Sequence, residues 1–240
     1  NTNLKWTWLL GDDLSPLQSR AYRNRSMKDV ASDCWRGGQA PVRVLVASVA
    51  DKDFAAELAV WVREVWGAKA EFIRSPSRAL GVTNAYAEPA QLGVDRWLTL
   101  IAVFNNKQAP ACIVDCGTAV TLDVIDRGGQ HLGGLILPGF RMMREALLQG
   151  TNIPRHQAVA DTGLFARDTA SAVAAGSIQA TAALIDRVLH ESNRRLGERP
   201  KLILTGSDAA YLQSVLAEPC DNVPELVMSG LALVAREQPA

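Results

Sequence analysis

The spacing of apolar residues changes several times along the chain, and each change predicts an element. Over residues 4–10, Leu4, Trp6 and Trp8 alternate with Lys5 and Thr7, the period of a strand, and Gly11, Asp12 and Asp13 supply a turn. Residues 14–33 are polar and weakly periodic, which predicts a helix with loops. After Pro41, the run Val42, Val44, Leu45, Val46, Val49 predicts a buried strand. Ser48 follows its apolar centre, where strands of α/β folds meet their sites. Asp51 is a candidate cap for a helix with apolar positions at Phe54, Leu58, Val62 and Val65, which Gly67 ends. A strand over 70–73 comes next. The loop over 75–90, with Pro76, Gly81, Asn84, Tyr86 and Pro89, is long enough to suggest function. Over 92–104, Trp97, Leu100, Ile101 and Phe104 share a helical face, and the first turns carry Gly93, Asp95 and Arg96.

In the second half an apolar run over 111–114 stops at Asp115. Alternation then resumes as Val120, Leu122, Val124 against Thr121, Asp123, Ile125, which predicts a hairpin with Asp115, Gly117 and Thr118 at its tip. Residues 126–129 form a second turn, and 131–137, containing Gly133–Gly134, form a third strand of an antiparallel meander. Pro138–Gly139 leads into a helix with Met142, Met143, Ala146 and Leu147. Residues 168–196 form a long Ala-rich helix whose small side chains allow close packing. A buried strand over 201–205 ends in Thr205, Gly206, Ser207, Asp208; then come a helix over 209–216, an extended stretch over 223–226 and a helix over 228–236. The second half thus reads β-β-β-α-α-β-α-α. Two α/β halves, 1–108 and 109–240, are expected, with a boundary in the polar stretch 105–110; facing each other, they would put the glycine turns on one cleft.

Composition narrows the chemistry. A chain of 240 residues, 48% hydrophobic, suffices for one large domain or two small ones. The longest stretch suited to lipid, Leu98–Phe104, is far shorter than a membrane span, and no signal peptide is evident. A net charge of zero argues against nucleic-acid and membrane partners. Cys34, Cys112, Cys116 and Cys220 include no Cys-x-x-Cys, and the histidine nearest the close pair is His131, so a zinc site is not expected; free thiols of a cytoplasmic protein are. The chain opens at Asn1 inside a strand pattern, so its N-terminus is expected to be incomplete.

The hairpin tip carries the first chemical hint. Successive N–H groups in such a turn can hold an anion, Thr118 adds a donor, and Asp115 beside them calls for a cation. Together they suggest nucleotide chemistry, although an ordinary hairpin turn uses the same residues.

Seven motifs in order extend the hint. They are Asn1-Thr2-x-x-Lys5-Trp6; Tyr86…Pro89…Leu92-Gly93-x-Asp95-Arg96; Asp115-x-Gly117-Thr118-Ala119-x-Thr121; His131-Leu132-Gly133-Gly134-x-Ile136-x-Pro138-Gly139; Thr169-x-x-Ala172-Val173-x-x-Gly176; Thr205-Gly206-x-Asp208; and Pro224-Glu225-Leu226-Val227-x-x-Gly230-Leu231. Over nearly its whole length the chain resembles the type III pantothenate kinases, the group that includes Bvg accessory factor-type proteins. The resemblance implies an actin-like ATPase fold of two ribonuclease H-like halves with ATP between them. It implies phosphoryl transfer from ATP to the primary hydroxyl of pantothenate, the first step of coenzyme A synthesis, by a homodimer using magnesium and a monovalent cation (potassium or ammonium).

By the same resemblance Asp95 is the general base, a role that suits the proton an attacking alcohol must lose; a helix-start carboxylate is its plain alternative. Gly93, Val94 and Arg96 would line the pantothenate pocket, with the Arg96 cation suited to the substrate carboxylate. Tyr86 would pack along the substrate, or merely cover the core. Thr169 would bind substrate, or cap its helix. Asp115 resembles the monovalent-cation ligand and Thr118 an ATP contact; Asn1, Thr2, Asn3, Leu4 and Lys5 belong to the first phosphate motif. Gly133–Gly134 and Gly206 resemble glycines that admit nucleotide, although a bulge or turn would use them equally. His131 and His156 receive no catalytic role, and Met142–Met143 reads as core. Two departures stand out: the Asp-x-Gly that precedes Asn-Thr in the family is absent, and the Gly-Gly-Asp turn reads Gly206-Ser207-Asp208, which puts close nucleotide contact there in doubt. Other readings are a different small-molecule kinase on this fold, and a catalytically impaired nucleotide-binding regulator.

Overall fold

The computed structural model describes residues 3–22, 25–49, 52–153 and 163–237, so the expectations for Asn1, Thr2, Asp51 and His156 fall outside the described residues. The chain divides into two compact units, residues 1–102 with 225–240, and residues 103–224.

In the first unit, β1 (Asn3–Trp6) pairs antiparallel with β4 (Gln18–Ala21), and β2 (Leu9–Leu10) with β3 (Asp13–Leu14) across Gly11. Helix α1 (Met27–Trp35) starts at Ser26, whose Oγ accepts the Asp29 N–H at 3.1 Å. Strands β5 (Val44–Val46) and β6 (Ala70–Phe72) are parallel and joined through α2 (Lys52–Trp66), which Gly67 ends at φ +66°. A hairpin of β7 (Arg78–Ala79) and β8 (Val82–Thr83), a 3-10 turn at Pro89–Gln91 and α3 (Val94–Asn105) complete the first run of elements. The core joins Met27 and Ala31 of α1 to Leu58, Trp61 and Val62 of α2. Around it, five of the six tryptophans form a chain of ring contacts: Trp6–Trp35 at 5.5 Å, Trp35–Trp61 at 5.7 Å, Trp61–Trp66 at 4.8 Å and Trp8–Trp66 at 6.2 Å. Aromatic pairs at these separations add to the area they bury.

The second unit is built on one mixed sheet in the order β11-β10-β9-β12-β13. Strands β9 (Ala111–Cys116), β10 (Ala119–Ile125) and β11 (His131–Pro138) form the antiparallel meander the alternation predicted. Strands β12 (Lys201–Thr205) and β13 (Cys220–Asn222) extend it in parallel from β9. That is the ribonuclease H-like sheet. Helices α4 (Phe140–Gly150), α5 (Thr169–Leu196) and α6 (Ala209–Gln213) belong to this unit, and α7 (Leu226–Glu237) to the first. Ile178, Ala182, Ile185 and Leu189 of α5 pack with Val114, Val120, Leu122 and Leu204 of the sheet. By length and hydropathy alone α5 would also suffice to cross a bilayer, beyond the Leu98–Phe104 run noted from sequence; its apolar stripe lies in this core.

Several expectations need correction. Residues 14–33 hold β3, β4 and α1 rather than a helix with loops. All four residues of β4 are exposed, so no alternation marks it. The strand predicted over 42–49 contracts to Val44–Val46, with Val42 and Val49 exposed at its flanks. The loop over 75–90 contains a hairpin whose turn puts Leu80 at φ +47° before Gly81 at φ +80°; a leucine there hides the turn signature. The extended stretch predicted over 223–226 is displaced to the polar edge strand β13, and residue 226 starts α7. Met142 is exposed rather than core.

Candidate active site

In the first unit the site is built at the start of α3. Gly93 precedes the helix, and its carbonyl accepts the Trp97 N–H at 3.0 Å. Asp95 lies in the first turn, half-buried, with Oδ1 accepting the Arg96 N–H at 2.8 Å. A β-carbon at residue 93 would lie 2.7 Å from that same oxygen, so glycine leaves the Asp95 carboxylate its place. Helix N-terminal N–H groups suit an anion, so the first turn of α3 is a natural seat for a carboxylate.

Arg96 is 4% exposed. Its Nη1 donates to the Tyr86 hydroxyl at 2.9 Å, and its guanidinium carbon lies 5.7 Å from the Tyr86 ring centre. The structure thus brings Tyr86, Gly93, Asp95 and Arg96 together. Val94 is buried and packs rather than presenting itself to solvent. Asn3, Leu4 and Lys5 lie on β1, with Leu4 half-buried and Asn3 and Lys5 exposed.

In the second unit β9 and β12 run side by side to their ends, with Asp115 in register with Thr205. Asp115 and Cys116 still belong to β9, so the hairpin tip is Gly117–Thr118, with the Gly117 N–H donating to the Ala119 carbonyl at 3.0 Å. Two backbone approaches close on this region. A β-carbon at Gly139 would lie 2.4 Å from the Gly117 carbonyl oxygen, and one at Gly206 would lie 2.4 Å from the Cys116 carbonyl oxygen and 2.5 Å from Asp115 Oδ1. Only glycine allows such contacts. Gly206 takes φ +93°, whereas Ser207 does not adopt a positive φ, so the serine requires no special backbone freedom here. The Asp208 N–H donates to the Cys116 carbonyl at 3.0 Å. Burial pushes the Cys116 thiol up to about 12, and the negative charges of Asp115 and Asp208 add to the rise.

Thr118 is exposed at the tip. Thr169 opens α5 but does not cap it: Asp168 does, through Oδ1 accepting the Ser171 N–H at 3.0 Å, and Thr169 is exposed. Gly133, at φ +111°, sits where the β10–β11 register shifts, so it serves a bulge. His131 is buried against Asp123, Nε2 to Oδ1 at 2.9 Å, as a histidine without a catalytic role would be.

Sequence reasoning named Asn84, Gly139 and Asp208 without giving them work. Asn84 binds three parts of its loop; Gly139 seats against the hairpin tip, and the Asp208 N–H closes on the Cys116 carbonyl. The signals were present as a buried-type amide between prolines, a Pro-Gly pair after a strand and an Asp after a strand-end glycine, but each is also ordinary turn chemistry.

For a divalent cation accompanying ATP, Asp115 and Asp208, which both act on the Cys116 thiol, are carboxylates of the oxygen type that hard cations take.

The family model for type III pantothenate kinase matches residues 1–191. A type III pantothenate kinase of Nitrosococcus oceani is 36% identical over 99% of this chain and 91% of its own length, and one of Alcanivorax borkumensis is 33% identical over 99% and 96%. Among solved structures, a conserved Baf family protein of Campylobacter jejuni superposes with a TM-score of 0.61 over 99% of this chain and 94% of its own, at 18% identity, which speaks to the fold alone. With the ribonuclease H-like sheet, the glycine-lined strand ends and the Tyr86–Asp95–Arg96 cluster already in place, these matches show that the chain belongs to the type III pantothenate kinase family, on the actin-like ATPase fold.

Proposed function

We propose that this chain phosphorylates pantothenate from ATP, giving 4'-phosphopantothenate for coenzyme A synthesis. The observation that carries the reading is the cluster at the start of α3, a carboxylate in the first turn beside a buried arginine held by a tyrosine hydroxyl. The acceptor is an alcohol that bears a carboxylate. Arg96 is a planar cation suited to that carboxylate. Tyr86 lies along the acceptor and Gly93 leaves room beside it. Asp95 orients the primary hydroxyl and accepts its proton as the oxygen bonds to the γ-phosphorus. The bond from that phosphorus to the β–γ bridging oxygen breaks, and ADP leaves with the electron pair.

ATP is taken by the second unit at the Gly117–Thr118 tip and the Gly206 turn. When bound with ATP, magnesium neutralises charge on the phosphates, and Asp115 and Asp208 would hold it or the waters around it. We assign Asp115 further to a monovalent cation, potassium or ammonium. Thr169 contributes to acceptor binding. The protein acts in the cytoplasm, in keeping with four free cysteines. It works as a homodimer, a reading in keeping with the large apolar side chains left exposed on β11 and α4: Leu135, Ile136, Met142 and Leu147.

The test is ATP-dependent phosphorylation of pantothenate by the full-length protein, in potassium and then in sodium, beside Asp95→Asn. Turnover that depends on potassium and falls by about 100-fold or more in Asp95→Asn is the expected outcome, in line with the loss of a general base. A folded protein with no turnover in either salt would sink the reading.

A further inference from the structure

We infer that Asn84 is a positioning residue for the acceptor substrate, acting through Tyr86 on Arg96; the inference rests on the pantothenate kinase reading above. Asn84 is 9% exposed and uses both ends of its amide. Nδ2 donates to the Pro76 carbonyl at 3.3 Å and to the Pro89 carbonyl at 3.2 Å, while Oδ1 accepts the Tyr86 N–H at 3.0 Å. Its own N–H donates to the Ser77 carbonyl at 2.9 Å. One side chain therefore ties the start, the middle and the end of the loop together. The Ser75 hydroxyl closes the same loop by donating to the Leu92 carbonyl at 2.8 Å, directly before Gly93 and the catalytic turn.

The chemistry of the contacts selects the residue. Two carbonyls need two donors, and one N–H needs an acceptor; within this reach only the primary amide of asparagine supplies all three. Aspartate would set a carboxylate against two carbonyls. Alanine would leave the Tyr86 N–H and two carbonyls to find water or shift. The Tyr86 backbone is fixed by this bond, and its hydroxyl in turn receives the Arg96 Nη1–H at 2.9 Å. Asn84 touches no reacting atom. It sets where the tyrosine ring and the arginine fork stand, and so which carboxylate-bearing alcohol fits them.

Steady-state kinetics on the full-length protein, with each substrate varied in turn, tests the inference. In Asn84→Ala the KM for pantothenate should rise by about tenfold or more with kcat changed less, as for loss of ground-state binding, while the KM for ATP stays within about twofold. Combined with Tyr86→Phe, the double variant should lose less than the product of the two single losses, because both act on one chain of contacts. Should Asn84→Ala fail to fold, Asn84→Ser keeps a small polar side chain and is read by the same two criteria. A KM for ATP that rises in step with that for pantothenate, or fully multiplicative losses, would overturn the inference and leave Asn84 a fold residue. If the wild-type protein does not phosphorylate pantothenate, the parent reading fails and takes the inference with it. If wild type turns over and the Asn84 variants keep its KM, only the inference fails.

Discussion

A methyl group at residue 206 would lie 2.4 Å from the Cys116 carbonyl oxygen, on a backbone already at φ +93°. Both facts act in the same direction. The left-handed conformation costs an L-residue about 1–2 kcal/mol, and the clash is with backbone, which cannot swing aside. Gly206→Ala is therefore expected to push the β12 turn away from Asp115, raising the KM for ATP about tenfold or more. Ser207→Gly serves as the control and should leave it within about twofold, because Ser207 needs no positive φ. Steady-state kinetics with ATP varied checks both; equal effects of the two changes would refute the argument. At this scale Tyr86, Gly93, Asp95 and Arg96 were singled out by their motif, and the structure brings them together. The roles of Asn84 and Gly139 were not legible, because they consist of distances to residues that only folding brings near.

The elements show where periodicity succeeds and where it does not. The meander was readable because β9 is buried on both faces and so reads as a continuous apolar run, while β10 opens by alternating half-buried and buried residues. The exposed strand β4 and the three-residue strand β13 have no buried face. The hairpin β7–β8 was hidden by Leu80 in a conformation glycine or asparagine would ordinarily fill. In α7, Gly230 reads as a helix weakness, since alanine in a helix interior is favoured by about 1 kcal/mol. The packing reverses that sign. A β-carbon there would lie 2.1 Å from the Leu98 carbonyl oxygen of α3, so the two helices meet backbone to backbone. Gly230→Ala should destabilise the protein by about 1–3 kcal/mol, as overpacking does. Thermal or urea unfolding of the variant checks this, and a rise in stability would show that the helices separate freely.

At the scale of the whole molecule, Leu135, Ile136, Met142 and Leu147 remain exposed on β11 and α4. If Ile136 lies in the homodimer interface, Ile136→Lys should place a charge in an apolar contact and shift the protein to monomer. Size-exclusion chromatography with light scattering reads the mass directly, and an unchanged dimer would move the interface elsewhere. The sequence alone determined the order of strands and helices in the second unit up to α6 and the hairpin that presents Thr118. It could do so because these depend on local spacing and on side-chain type. Tertiary structure alone decided that α7 belongs with the first unit, that five tryptophans form one cluster, that Arg96 is buried against Tyr86, and that Gly139 and Gly206 also meet other backbone at close range. Each of these depends on atoms far apart in the chain meeting at van der Waals distance, and no local pattern of apolar and polar residues records such a meeting.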